Sequence, residues 1–257
     1  MSNLRLLRDG AVGRIILARA DKRNALDRQM CEDLFAALAQ FETDPACRVI
    51  HVGGEGDDFS IGADLEEWER AMETGTGDSH RQDAEAFGRV LLAIRALMKP
   101  VVCTVRGRAL GDGAGLATAC DLVLAHEGAE LGYPEVRIGF VPALVMTMLR
   151  RSVGEKHAAD LVLTGRIISA EEAERIGLVS RVVPAATFDE EINATLEQIS
   201  RAPATALALT KWLLYKLDAL SFEDGIAAGV VTNVEARATD DFKAGLRKFM
   251  AWKAKPE

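Results

Sequence analysis

The chain has 257 residues, 49% of them apolar and 27% charged, enough to bury a sizeable core. A net charge of −8 and a pI near 5.2 speak against non-specific nucleic-acid binding and against adsorption to anionic membranes, while leaving room for a local basic pocket for one phosphorylated ligand. No apolar run approaches the ~20 residues of a membrane span, and the opening Met-Ser-Asn-Leu-Arg carries no apolar signal region. Cys31, Cys47, Cys103 and Cys120 lack the spacing of a zinc or redox site, so a cytoplasmic protein with buried free thiols is expected.

Val12–Ala18 is apolar and β-branched and reads as a strand. Asn24 or Asp27 is placed to cap a helix running to about Glu42, with Leu26, Met30, Leu34, Leu38 and Phe41 at helical spacing. Arg48–Val52 reads as a second strand. The turn-rich Gly53–Asp58 follows, then Phe59–Asp64 leading into a short helix with Asp64 as its cap. Gly75–Ser79 reads as a loop, and a helix is expected from about His80 to Met98, stopping before Lys99-Pro100. Val101–Val105 and Leu122–Ala125 read as buried strands, Gly154–Leu163 as a helix, Ser169–Glu172 as a capping box and Leu178–Val183 as a strand. Four helical patterns close the chain, at 187–201, 204–219, 221–237 and 239–252. Alternating helix and strand followed by helix alone implies an α/β core, residues 1–195, and a helical region, 196–257. The apolar residues of that region, among them Trp212, Leu217, Phe222, Ile226, Phe242 and Phe249, exceed what one side of a thin layer needs to bury, which points to a subunit interface.

Two stretches carry chemistry. Lys99 to Leu116 reads as buried strand, glycine turn and helix start, with Gly111, Gly113 and Gly115 allowing close backbone approach and helix N-terminal N–H groups free to face negative charge. The glycine spacing fits neither a dinucleotide fingerprint nor a P-loop. About twenty residues on, Tyr133-Pro134-Glu135 presents a carboxylate after a short extended segment. A backbone anion cradle with one carboxylate is minimal equipment for moving a proton beside a carbonyl.

Eight segments in order now carry a resemblance: Lys22–Leu26, Phe59–Leu65, Lys99–Val102, Ala109–Gly111, Cys120-Asp121, Pro134-Glu135, Leu163–Gly165 and Ala173–Val179. From about residue 12 to 250 the chain resembles the crotonase (enoyl-CoA hydratase/isomerase) superfamily. The resemblance implies a spiral of ββα units with a C-terminal helical trimerisation region, assembled as homotrimers or paired trimers. It implies acyl-CoA thioester substrates of the kind met in fatty acid metabolism, with coenzyme A as part of the substrate, and neither metal nor redox cofactor. The backbone N–H groups of Ala63 and Asp112 map to the pair that holds the thioester oxygen as it becomes an enolate, and Glu135 maps to a general acid/base.

Two departures stand out. Hydratases of the family with a two-carboxylate mechanism carry a glutamate where this chain has Gly115, which leans the chemistry toward Δ3–Δ2 isomerisation. Members with a similar glycine-rich turn and the Glu135–Ala143 pattern are assigned as hydratases, so hydration or its reversal is the main expectation, with a non-catalytic CoA-ester binder as a further alternative. Asp112 stands where glycine is usual, and its side chain is expected to turn away, toward Arg106 or Arg108 or the helix N-terminus; the rival is that it replaces the missing acid. Glu66, Glu67 and Tyr133 are weaker stand-ins, expected as solvent-facing or strand-edge residues. For coenzyme A the candidates are Lys22, Arg23, Ala25, Gly62, Asp64, Leu65 and, by resemblance to a basic helix reaching a neighbouring subunit, Lys253, with Arg28 also near. The acyl pocket is expected from Trp68, Met72, Phe87, Gly111, Gly115, Tyr133, Val141, Leu144 and Met148.

Overall fold

The computed structural model of the chain describes residues 3–74 and 76–253. In chain order its elements are β1 (Leu4–Asp9), β2 (Val12–Leu17), α1 (Arg28–Thr43), β3 (Val49–Gly54), α2 (Leu65–Thr74), α3 (Gly77–Ala96), β4 (Val101–Val105), β5 (Arg108–Leu110), α4 (Asp112–Ala119), β6 (Leu122–His126), β7 (Glu130–Gly132), α5 (Met146–Thr164), β8 (Ile167–Ser169), α6 (Ala170–Arg175), β9 (Arg181–Val183), α7 (Phe188–Arg201), α8 (Ala204–Lys216), α9 (Phe222–Ala238) and α10 (Asp240–Lys253).

A six-stranded sheet runs β1-β2-β3-β4-β6-β9, parallel except for the β1–β2 hairpin, and a three-stranded sheet runs β5-β7-β8. The chain climbs in strand–strand–helix units: β1-β2-α1, β4-β5-α4 and β6-β7-α5. Between β3 and α2 the place of a second strand is taken by Phe59–Ala63, which makes single bridges from Ser60 to Ala109 and from Ala63 to Leu26. Strands β3 and β4 are buried on both faces and so read as mainly apolar runs, broken by His51 and Thr104, which meet each other at 2.8 Å. Their alternation still sorts residues by face: Ile50, Val101 and Cys103 face the main core under α1, α3 and α4, while Val49, Val102 and Leu124 meet Phe188, Ile192 and Leu196 of α7.

Several local features depart from expectation. Strand β1 lies outside the expected elements because Leu6 and Leu7 are exposed on an edge; the Asp9↔Val12 register and Gly10 at φ +57° fix it instead. Helix α3 starts at Gly77 rather than His80, because Thr76 and Ser79 exchange side-chain and backbone hydrogen bonds at its start; Gly75 lies outside the described residues. Asp27, not Asn24, caps α1, accepting from Met30 N at 2.7 Å. Helix α5 begins eight residues before the expected Gly154, which forms a kink at φ +75°. Helix α7 runs through residue 195 while packed on the sheet, so the chain leaves the core near Ala202.

Helices α8, α9 and α10 pack mainly on one another. One buried cluster ties α8 to the core: Lys211 Nζ donates to Ile94 O (2.8 Å) and Lys99 O (2.9 Å) and pairs with Asp121 (2.7 Å), whose other oxygen accepts from Tyr215 OH at 2.6 Å. Much of the apolar surface of these helices, including Phe222, Ile226, Val230, Val234, Phe249 and Trp252, is exposed in the single chain. Among the described residues no helix is long and apolar enough to cross a membrane.

Candidate active site

Three backbone segments converge. Phe59–Ala63 runs beside β5, with Leu110 N donating to Ser60 O (2.9 Å) and Ser60 N to Arg108 O (3.1 Å). Leu26 brackets Ala63 from the other side: Leu26 N donates to Gly62 O and Asp64 N to Leu26 O. In such a parallel bridge the N–H of Ala63 itself points away from Leu26, toward the β5 side. Gly62, at φ +97°, lies so close to the β5–α4 turn that a Cβ there would stand 2.8 Å from Leu110 O and 3.3 Å from Asp112 N. Asp112 opens α4 behind Gly111, so its N–H is one of the orphan donors of a helix start. Among the described residues neither the Ala63 nor the Asp112 amide has a hydrogen-bond acceptor.

The third segment brings the carboxylate. Gly111 N donates to Gly132 O at 2.9 Å, tying the turn to the end of β7, after which Tyr133 leads into a 3₁₀ turn, Pro134–Ile138. Proline opens that turn, Gly139 ends it at φ +76°, and Phe140 N closes onto Glu135 O. The Glu135 side chain thereby comes to rest over Gly111, whose Cβ position is 3.3 Å from Oε1. Its Oε2 is buried without a hydrogen-bond partner, and burial pushes its pKa above the usual carboxylate range.

Asp112 does not reach the arginines expected to meet it. Arg106 pairs with Asp189 at 2.6 Å and lies over the Phe188 ring, and Arg108 grips Asp58 through two nitrogens at 2.9 and 2.8 Å. Both guanidiniums are thus taken by carboxylates far away in sequence. Desolvation first, and the nearby Glu135 carboxylate second, raise the pKa of Asp112 to about 7. Its field also reaches Cys31 on α1, whose thiol burial pushes up.

Gly115 sits in a closed environment. A Cβ there would lie 2.0 Å from Val145 Cγ1 and 3.6 Å from Phe87 Cζ, so the space beside it is already filled by the buried Val145, a residue that sequence reading passed over. Tyr133 is fully buried rather than at a solvent-facing strand edge; since Thr118 Oγ1 donates to Ala114 O, the tyrosine hydroxyl donates to Thr118, 2.8 Å away. Trp68 is half-buried and meets the Phe140 ring edge-on with centroids 4.8 Å apart, an unanticipated partner that joins α2 to the loop after Glu135. Met72, Val141 and Leu144 are exposed, Met148 is half-buried, and Phe87 belongs to the core.

Among the coenzyme A candidates, Lys22 is paired with Glu66, which is exposed. Arg28 is tied to Asp83, Gln82 and Ser79 O on α3. Asp64 is buried, bound to Arg19 at 2.9 Å, and caps α2 through Glu67 N. Glu67 is half-buried instead of solvent-facing, and burial raises its pKa. Arg23, at φ +51°, is exposed; its backbone N–H donates to Ala20 O and its carbonyl accepts from Ile61 N, while its side chain has no hydrogen-bond or ion-pair partner among the described residues. Ala25 is buried, Leu65 exposed, and Lys253 exposed at the end of α10. Asn24 organises this corner: buried at φ +55°, it donates to Glu55 O and Asp58 O and accepts from Arg19 N. Its left-handed backbone, a conformation asparagine tolerates, sets it apart from a helix cap.

The family model described as Enoyl-CoA hydratase/isomerase matches residues 8–257. The chain belongs to that family. The enoyl-CoA hydratase/isomerase relatives include a Thermus thermophilus protein provisionally named an enoyl-CoA hydratase, 42% identical over 240 residues and covering 93% of this chain and 94% of its own length. The solved enoyl-CoA hydratase of Mycobacterium smegmatis superposes with a TM-score of 0.94 at 29% identity, over 100% of this chain and 99% of that one. That of Bacillus anthracis gives 0.91 at 29% identity, over 100% and 98%. The crotonase-type spiral of ββα units with C-terminal helices is therefore the fold of this chain.

Proposed function

We propose that this protein is an enoyl-CoA hydratase/dehydratase that works through a thioester enolate. The observation that carries the reading is the buried, unpartnered carboxyl of Glu135 over Gly111, beside two amides without acceptors at Ala63 and Asp112. A thioester oxygen seated between those amides would take up the charge that develops when water adds to the β-carbon. Loss of one such donor costs ~3 kcal/mol of transition-state stabilisation. In the hydration direction Glu135 takes a proton from the attacking water as the C–O bond forms, and the π electrons move onto the thioester oxygen; protonation at the α-carbon completes the product. The raised pKa of Glu135 suits a group that must both accept and return a proton near neutral pH. Coenzyme A enters as part of the substrate, with the exposed, unpaired side chain of Arg23 a candidate for its phosphates, and the exposed apolar face of α8–α10 supports assembly as a trimer or paired trimer.

The second reading, Δ3–Δ2 isomerisation, rests on the Gly115 environment: Val145 fills the space in which a second carboxylate on α4 would lie, and a lone Glu135 can carry one proton between carbons. A panel of 2-enoyl, 3-enoyl, 3-hydroxy and glutaconyl CoA esters followed by mass spectrometry separates the two by product. Glu135→Gln is expected to lower turnover on the productive ester by at least ~100-fold with ester binding retained. Near-normal turnover would remove Glu135 from the chemistry.

A further inference from the structure

The side chain of Asp112 has four properties that a bystander on a helix start lacks. It has no hydrogen-bond or ion-pair partner among the described residues, although Arg106 and Arg108 are close in sequence and both are committed elsewhere. It follows directly on Gly111, the residue on which Glu135 Oε1 rests, so the two acids flank one glycine. The Glu135 carboxylate is close enough to raise the pKa of Asp112, and the Asp112 charge in turn reaches Cys31 of α1. The residue is partly accessible, as a group that meets a substrate must be.

We propose that the carboxylic acid of Asp112 is the second proton-transferring group of this site, delivering the proton to the α-carbon while Glu135 handles the water. The inference rests on the hydratase reading and specifies it. In the balanced step, the Glu135 carboxylate takes one proton from water as oxygen bonds to the β-carbon, and the electron pair of the double bond passes to the oxygen between the two amides. The enolate then re-forms its carbonyl as the α-carbon takes the proton of Asp112. Glu135 is left protonated and Asp112 ionised, and a proton returned from the first to the second restores the starting state, with water added across the double bond and nothing else consumed. Burial near Glu135 keeps the required proton on Asp112 up to a pH of about 7, despite its position at a helix N-terminus, which favours the charged form.

The test compares wild type, Asp112→Asn, Asp112→Gly and Glu135→Gln in hydration of the 2-enoyl CoA ester the wild type turns over fastest, between pH 5.5 and 9. Both Asp112 variants keep the main-chain amide. The expected result is a loss of about 100-fold in both, with ester binding retained and with the fall in wild-type rate above pH 7 absent from what activity remains. Rates within threefold of wild type in Asp112→Asn and Asp112→Gly, with Glu135→Gln inactive, would overturn the role of Asp112 and leave the hydratase reading intact. Faster turnover in Asp112→Gly would overturn it too, marking the carboxyl as a burden on the enolate. A wild type that binds the esters and converts none of them overturns both readings together.

Discussion

Position 115 invites a direct perturbation, because the structure says what a side chain there must displace. Gly115 lies inside α4, where replacing glycine by alanine ordinarily favours a helix by ~1 kcal/mol. Here the new methyl would stand 2.0 Å from Val145 Cγ1, well inside any real contact, and both residues are buried in the main core, where neighbours have little room to yield. Overpacking of this kind costs ~1–3 kcal/mol. With the propensity gain set against it, Gly115→Ala is expected to destabilise by up to about 2 kcal/mol, or as much as roughly 8 °C in Tm for a chain of this size. Val145→Ala removes the offending methyl and leaves a Cβ at 3.0 Å, tight but workable, with Phe87 Cζ at 3.6 Å. In that background the same Gly115→Ala change should be neutral or slightly stabilising, so a double-mutant cycle read by urea denaturation at fixed protein concentration should show coupling equal to the overpacking term, about 1–3 kcal/mol. Additivity within about 0.5 kcal/mol would refute the reasoning, because it would mean that Val145 does not close the space beside Gly115. Gly115→Glu, which would add a second carboxylate on α4, should for the same reason fail to raise hydration unless Val145 is reduced as well.

Gly62→Ala places a methyl 2.8 Å from Leu110 O at a backbone φ of +97°, prying apart the segments that carry the two amides; kcat should fall by ~100-fold or more while far-UV circular dichroism is unchanged, and an active Gly62→Ala would show that the amides need not stay together. Lys211→Met leaves Asp121 buried with Tyr215 OH and Val101 N but without its cation, so unfolding should cost ~3 kcal/mol less and amide exchange should rise first in α8; unchanged exchange there would show that the cluster does not anchor the helix. His51 is buried against Thr104 with a pKa lowered to about 4 by desolvation first and by Arg14 second. Its folded pKa lies below the unfolded value of ~6.5, so the folded state binds fewer protons between the two, and stability present above pH 6.5 is lost as pH falls toward 4, by about 3 kcal/mol in all. Chemical denaturation of wild type and His51→Gln across that range should show the acid-side slope flattened in the variant, and parallel slopes would assign the loss to other groups.

The elements legible in the sequence are those whose burial leaves a mark. Val101–Val105 and β3 are buried on both faces and read as mainly apolar strands, and the spaced Met30, Leu34, Leu38 and Phe41 mark the buried face of α1. The three-residue strands β5, β7 and β8 are too short to show a period, yet they set the turn that holds Gly111 under Glu135. In the site, the backbone cradle and its carboxylate are local in sequence and were readable as motifs. The direction of the Asp112 side chain was not, because the arginines near it in sequence are satisfied by partners 50 and 83 residues away. The closing of position 115 likewise depends on Val145, thirty residues on, which no spacing within α4 announces.

Those two hidden facts bear on each other through charge. An ionised carboxylate ~5 Å from an enolate opposes it by ~3 kcal/mol at an effective dielectric of 20, about what one of the two amides contributes. A permanently charged Asp112 at that distance would therefore undo half of the cradle it helps to build, and a site arranged that way would be better off with a glycine there. The conflict disappears if the group is neutral when charge develops, and the surroundings favour that: no cation pairs with it among the described residues, desolvation disfavours its charge, and Glu135 supplies a like charge nearby. Positions 112 and 115 are three residues apart on one helix, ~4.5 Å along its axis and on neighbouring faces, so an acid at the first can serve a cleft from which the second is shut out by Val145. Such an arrangement ties turnover to a proton with a pKa of about 7, and the rate has to fall as pH rises through that value, because the acid is then lost and a repelling charge appears beside the enolate in the same step.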